Sequence, residues 1–389
     1  MSDEIKGTLV IIGGALRVDN AAVWERIVQL AGGAKANIAV FPSAAGDPER
    51  SAALTIHSLN KYGAQAFMVP LAVKLAGCDY RAAAEDPAIA GQVSAATGVY
   101  FTGGDQGRIM QALVREDGSR SLVLDAVWDK YRSGGVIIGS SAGAAVMSTQ
   151  TFVDAAVLPA LKAGLEDGKE VAPGLGFIGP DVFIDQHLIV RGRFARMLVA
   201  MRQKNYRLGL GVDENTAMIV CRGDVEIVGH KGAVLIDLSR AGSDASRKEF
   251  NISNARISYL DNGDSYNFLS GVVQPAADKL EGRLEPRLPY RDGARFYPDI
   301  LGNTTLIDLL ENLIDSRQQR ATGLAFGGPA DARPELGFEF SFCKTADSEG
   351  YFSNASGAEA YTMLNIRLDV RPVCMQLPLY SDWPDTEEN

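Results

Sequence analysis

Seven consecutive residues, Gly139-Ser140-Ser141-Ala142-Gly143-Ala144-Ala145, have the make-up that a nucleophilic serine requires. They spell G-x-S-x-G, follow the apolar run Val136–Ile138 and open onto small residues. Such a strand-to-helix turn strains the backbone, accepts only small neighbours and lifts the central serine above the edge of a sheet. The amide of Ala142 would then face a developing oxyanion. The plainer reading of the same residues is a tight glycine-rich turn without chemistry.

A serine needs a base to become a useful nucleophile, and the chain has three histidines. His57 falls inside an expected helix. His230 sits in the turn Gly229-His230-Lys231-Gly232, where exposed histidines are common. His187 lies near the end of an alternating run, on the same side as Phe183 and Asp185, and Arg191-Gly192-Arg193 follows closely. Those neighbours favour His187 as the base over a structural imidazole. A carboxylate must hold the imidazole in the right tautomer. Asp213-Glu214 ends the apolar run Leu208–Val212, out of place unless it faces a site, the alternative being a solvated turn. Gly103-Gly104-Asp105-Gln106 ends another strand. Glycines there admit close approach of backbone amides, so Gly104 is a candidate second oxyanion donor. Arg191, Arg193 and Arg196 gather where a helix begins, with 193 and 196 on one face. Arginines beside a site bind carboxylates, although a solvated helix start reads the same way. Gly174-Leu175-Gly176-Phe177-Ile178-Gly179 spells G-x-G-x-x-G, but Pro173 and Pro180 bracket it and no helix follows, so it is no dinucleotide site.

The elements that carry these residues follow a recognisable rhythm. Thr8–Ile12, Ala36–Phe41, Ala66–Val69, Val99–Phe101 and Val136–Ile138 read as short strands. Helical patterns at 21–31, 51–61 and 107–115 alternate with them. Short apolar runs buried on both faces and separated by helices predict an α/β fold with a mostly parallel sheet. Ligands in such sheets sit outside the carboxyl ends of the strands. From about residue 181 the strands are closely spaced, at Ala217–Cys221, Val225–Val228 and Ala233–Leu238, with a helix at Arg193–Lys204. Asp261-Asn262-Gly263-Asp264, between Arg256–Leu260 and Tyr266–Leu269, reads as a hairpin turn. Beyond 271 the composition turns polar and proline-containing (Pro275, Pro286, Pro289, Pro298), then a helix, Thr305–Arg317, and strands near 337–342 and 362–376 follow. The expected division is a catalytic domain at 1–270 and a C-terminal accessory α+β unit at 271–389.

Composition narrows the function. With 46% apolar and 22% charged residues the chain is of the globular class. A net charge of −10 argues against nucleic acid as a partner. No apolar run is long enough to span a bilayer, and the acidic start Met1-Ser2-Asp3-Glu4 lacks the basic flank of a signal peptide, so a cytoplasmic, membrane-free protein is expected. Four cysteines, none in a C-x-x-C, suggest neither a disulfide framework nor a zinc site.

Taken together, the turn at Gly103–Gln106, the Gly139–Ala145 elbow, Asp185-Gln186-His187, the spacing of Arg191, Arg193 and Arg196, Asp213-Glu214, and the segments Ile257–Leu260 and Gly263-Asp264 resemble the cyanophycinases over roughly residues 6–270. These serine peptidases are relatives of aspartyl dipeptidase within the class I glutamine-amidotransferase-like fold. The resemblance implies that Ser141 is the nucleophile, His187 the base and Glu214 its orienting carboxylate. It implies that Gln106, Asp185, Gln186, Arg191, Arg193 and Arg196 form the substrate pocket. The implied reaction is hydrolysis of cyanophycin, an aspartate-backbone polymer bearing arginine, to β-Asp-Arg dipeptides by an exopeptidase. No metal or organic cofactor is implied, and a homodimer is. The segment 151–171, with its apolar run at 155–161, is more apolar than such a polar substrate calls for. Two rivals remain on the residues alone: an esterase using Ser141 with His230 as base, and a non-catalytic relative that binds anions through its arginines.

Overall fold

In the computed structural model residues 5–285 and 287–380 are described. The acidic start Met1–Glu4, Pro286 and residues 381–389 lie outside them. Alternating apolar residues build the first sheet. In Thr8–Ile12, Leu9 and Ile11 face one core while Val10 and Ile12 face another. The same split divides Ala39 and Phe41 from Ile38 and Val40 in Asn37–Phe41. Both faces must therefore be covered. Helices Ala21–Leu30 and Pro48–Lys61 cover one, through Trp24, Ile27 and Leu59. Helices Pro87–Ala95, Gln106–Leu113 and Leu122–Arg132 cover the other, through Ile89, Ile109 and Val127.

Five strands of this sheet run parallel, in the order Thr8–Ile12, Val136–Ser140, Gly98–Phe101, Asn37–Phe41 and Gln65–Met68. Antiparallel strands Thr216–Cys221, Asp224–Gly229, Ser265–Asn267 and Val273–Gln274 extend it beyond Thr8–Ile12. The α/β class read from the sequence holds.

A second, mostly antiparallel sheet begins with Val182–Gln186 and Leu208–Val212, which are parallel, and continues through Ala233–Asp237 and Ile252–Leu260. Its two faces also differ: Ile184, Leu210 and Leu235 join the core of the first sheet, whereas Phe183, Val234 and Ile257 face helix Phe194–Lys204. Strand Ile252–Leu260 then pairs with Ala360–Cys374, and Leu336–Cys343 and Arg320–Ala325 follow. Apart from Val273–Gln274, which joins the first sheet, the strands beyond residue 271 continue a sheet begun at residue 182.

The turn Asp261–Asp264 corrects the hairpin expectation. The strands on either side of it belong to different sheets and do not pair with each other. The reason is Asp264, which is 0% exposed. Its carboxylate accepts from the Ala276 amide at 2.8 Å, Lys279 Nζ at 3.0 Å and Thr362 Oγ1 at 2.6 Å. A buried acid with that many donors anchors a crossover between layers, not a solvated hairpin tip.

Candidate active site

The turn that carries Ser141 explains its own sequence. Ser141 follows strand Val136–Ser140 with φ 53° and ψ −108°, a backbone that costs energy for any residue with a side chain. A Cβ on Gly139 would lie 2.2 Å from the Gly143 carbonyl oxygen, and one on Gly143 would lie 2.3 Å from that of Phe101. The two glycines of G-x-S-x-G are therefore required by contact, and helix Ala142–Ala145 is buried throughout.

Three loop ends meet at this turn. Ser141 donates its amide to the Ile12 carbonyl at 2.9 Å, placing Gly13-Gly14 beside it. Gly13 accepts the His187 amide at 3.0 Å, and Gly14 accepts the Asn215 amide at 2.9 Å. Gly14 has φ +106°, and a Cβ there would sit 2.3 Å from His187 Cε1. The pair of glycines thus lets the imidazole lie against the backbone.

His187 itself has φ 48°. That left-handed kink after strand Val182–Gln186 turns its ring toward the elbow. Ser141 Oγ lies 2.8 Å from His187 Nε2, and His187 Nδ1 lies 2.7 Å from Glu214 Oε1. With Nδ1 donating to the carboxylate, Nε2 is left to accept the serine proton. Burial pushes the His187 pKa below its ordinary value of 6.5, and Arg191 and Arg193 push it the same way, opposed by Glu214. The ring is therefore neutral and basic at neutral pH.

A cleft of about 490 Å³ opens at the serine. Gly104, Asp105 and Gln106 line it on one side, Val153–Ala156 on another, and Gln186, His187, Arg191, Arg193 and Arg196 complete it. Burial, with Arg196 and Arg191 nearby, pushes the Arg193 pKa down to about 10, which leaves it charged at neutral pH. Arg193 Nη1 donates to the Gln186 carbonyl at 2.9 Å and to Gln186 Oε1 at 3.0 Å.

Residues 9–228 match peptidase family S51. The chain belongs to that family. The S51 chain is 29% identical over 289 residues to the cyanophycinase of Geminocystis herdmanii, covering 72% of itself and 100% of that protein. It is 31% identical over 277 residues to the cyanophycinase of Thermosynechococcus vestitus, covering 69% of itself and 81% of that protein. A peptidase from an acI-B1 actinobacterium superposes with a TM-score of 0.50 at 19% identity, over 68% of this chain and 98% of that one, which shows a shared fold. This chain is a cyanophycinase-like serine peptidase.

The S51 peptidase brings together most of the residues singled out in its sequence. Ser141, His187 and Glu214 form one chain of contacts. Gly104, with φ +143°, borders the cleft, and a Cβ there would meet the Ala44 carbonyl oxygen at 2.2 Å. Gln106 donates to the carbonyls of Phe152 and Val153, the latter at 3.2 Å, and so holds the segment 152–153. Asp185 is placed differently from a substrate contact: it is 0% exposed and grips Arg196 with two bonds of 2.9 and 2.7 Å. Arg196, 5% exposed, also donates to the Ala155 carbonyl at 2.7 Å and stacks over Phe152. His57 and His230 are exposed. Asp213 is buried and accepts the Val190 amide at 3.3 Å, so of the acidic pair it is Glu214 that reaches the imidazole. Two features escaped the sequence reading. Gly13-Gly14 follows Thr8–Ile12, the strand paired in parallel with that of the serine, and carries no motif that marks it as part of a site. The cleft wall Val153–Ala156 falls in the segment 151–171, whose apolar run at 155–161 carries no local signal of a cleft wall.

Proposed function

We propose that this S51 peptidase hydrolyses cyanophycin or closely related aspartyl–arginyl peptides, releasing β-Asp-Arg units through an acyl-enzyme on Ser141. The observation that carries the reading is the unbroken line Ser141 Oγ–His187 Nε2 at 2.8 Å and His187 Nδ1–Glu214 Oε1 at 2.7 Å, opening into a cleft walled by arginines. His187 takes the hydroxyl proton as Ser141 Oγ attacks the scissile carbonyl, and Glu214 stabilises the imidazolium that results. The Ala142 and Gly104 amides are the candidate donors to the oxyanion. His187 then passes its proton to the leaving amine, and water repeats the sequence on the ester. Arg191 and Arg193 suit carboxylates carried at intervals along the substrate. Asp105 and Asp154, both exposed at the cleft, suit the guanidinium groups.

The test incubates the protein with insoluble cyanophycin and identifies the soluble products by mass. β-Asp-Arg is expected, with turnover in Ser141→Ala reduced by about four orders of magnitude or more while the fold is kept. A fluorophosphonate should label Ser141 in the wild type. Polymer left intact by an enzyme that labels would overturn the substrate, and near-wild-type turnover in Ser141→Ala would overturn the nucleophile.

A further inference from the structure

The residues that follow the family-matched region back two of the segments that line the cleft. The first contact is through the segment 150–173. Its ends form a small two-stranded sheet, Gln150–Phe152 with Val171–Pro173, and between them Val153–Ala156 line the cleft and helix Val157–Ala163 follows. Lys162 in that helix donates to Asp331 Oδ1 at 2.8 Å and to the Arg333 carbonyl at 2.6 Å. The Lys162 side chain is only 8% exposed, so this ion pair is shielded from solvent on the lysine side. Asp331 is presented by its own loop: it accepts the Arg333 amide at 2.8 Å, and a Cβ on Gly327 would come within 2.2 Å of its carboxylate.

The second contact is at the arginines. Gly192, between Arg191 and Arg193, has φ +57°, and a Cβ there would lie 2.4 Å from the Leu301 carbonyl oxygen and 2.8 Å from Leu301 Cα. The backbone of the C-terminal unit thus backs directly onto the arginine segment. Leu301 follows Ile300, which is 0% exposed and bonded through its amide to the Leu324 carbonyl at 2.8 Å. The backing loop is therefore tied to the second sheet.

We propose that residues 271–380 are a working part of the active site: the Lys162–Asp331 clamp holds the 153–163 wall, and Leu301 fixes the arginine wall, so that the C-terminal unit sets affinity for an extended aspartyl–arginyl peptide. Lys162 and Asp331 are positioning residues, since neither lines the cleft. This rests on the reading of the Ser141 cleft as the peptide site. A small uncharged ester needs only the serine, its base and the oxyanion donors, whereas an extended substrate needs both walls in place.

The full-length enzyme is assayed on cyanophycin and on p-nitrophenyl acetate, with Asp331→Asn, Lys162→Met and the conservative Lys162→Arg. Asp331→Asn and Lys162→Met should raise KM for cyanophycin about tenfold, with kcat and ester turnover within about twofold of wild type. Lys162→Arg should keep KM near the wild-type value. Hydrogen exchange across 153–163 should quicken in Asp331→Asn, while 136–146 stays as protected as before. Unchanged KM in both clamp variants would overturn the proposal, as would equal losses on polymer and ester. Wild-type enzyme that cleaves the ester and leaves the polymer intact would instead refute the substrate reading. The clamp would then be judged by exchange alone, and unchanged exchange across 153–163 would overturn it.

Discussion

At the scale of single residues, the site is a set of small backbone concessions made for one imidazole. Ser141 and His187 both occupy left-handed backbone, at φ 53° and 48°, and Gly14 is bare because a side chain would strike the ring. The charge balance around His187 gives a pH signature. Burial lowers its pKa, Arg191 and Arg193 lower it further, and Glu214 opposes them. On the proposed mechanism His187 acts as base in its neutral form, so protonation by acid removes activity. The acidic limb of kcat/KM should therefore lie below the ordinary histidine value of 6.5. Arg191→Gln removes a cation that disfavours the imidazolium, so the limb should move to higher pH. Measured on p-nitrophenyl acetate, the shift is free of any role that Arg191 has in holding a charged substrate. A limb that stays put in Arg191→Gln would mean that this arginine does not tune the base.

At the scale of elements, the Arg196–Asp185 pair ties three pieces together: strand Val182–Gln186, helix Phe194–Lys204 and, through the Ala155 carbonyl, the cleft wall. Both partners are buried, so removing one charge strands the other. Asp185→Asn should lower unfolding stability by about 3–5 kcal/mol in urea titrations, and the double variant Asp185→Asn/Arg196→Met should lose less than that single variant. A double variant at least as unstable as Asp185→Asn would show that the pair is worth more than its desolvation penalty. This pair also marks where the sequence stops being legible. Strand alternation placed Asp185 and His187 on one side, but the kink at His187 breaks the alternation, and each side chain goes to its own partner. The glycine turn at Ser141 and the parallel strands could be read because their signals are local: small residues at fixed offsets and short apolar runs. Pairing is not local. Asp261–Asp264 carries every mark of a hairpin turn, and only Ala276, Lys279 and Thr362, further along the chain, make it a crossover. Leu122–Arg132 went unread as a helix, because its Leu122-Val123-Leu124 start is a continuous apolar run that a strand would share.

At the scale of the whole molecule, the question is whether residues 1–270 can stand alone. The sequence suggested so, since composition changes near 271. The packing argues otherwise. Phe183, Phe194 and Ile257 share one core with Phe338, Phe340, Ile366 and Leu368. Phe194 and Phe340 meet edge-on with ring centres 5.6 Å apart. Strand Ile252–Leu260 would become a bare edge without Ala360–Cys374. An exposed edge beside an uncovered apolar face is a template for aggregation. Asp264 would also lose Lys279, its ion-pair partner at 3.0 Å, together with the Ala276 amide and the Thr362 hydroxyl. Most of these losses fall on the second sheet, whose other face packs into the core that carries the serine strand, so the damage is not confined to one layer. The expected outcome is that a fragment ending at residue 270 aggregates, or stays soluble without a cooperative melting transition, and that its Ser141 labels with fluorophosphonate far more slowly than in the full chain. The measurement is thermal unfolding by circular dichroism alongside the labelling rate. A soluble fragment that melts cooperatively and labels at the full-chain rate would show that the catalytic unit folds by itself, and that the C-terminal strands are added to a finished core.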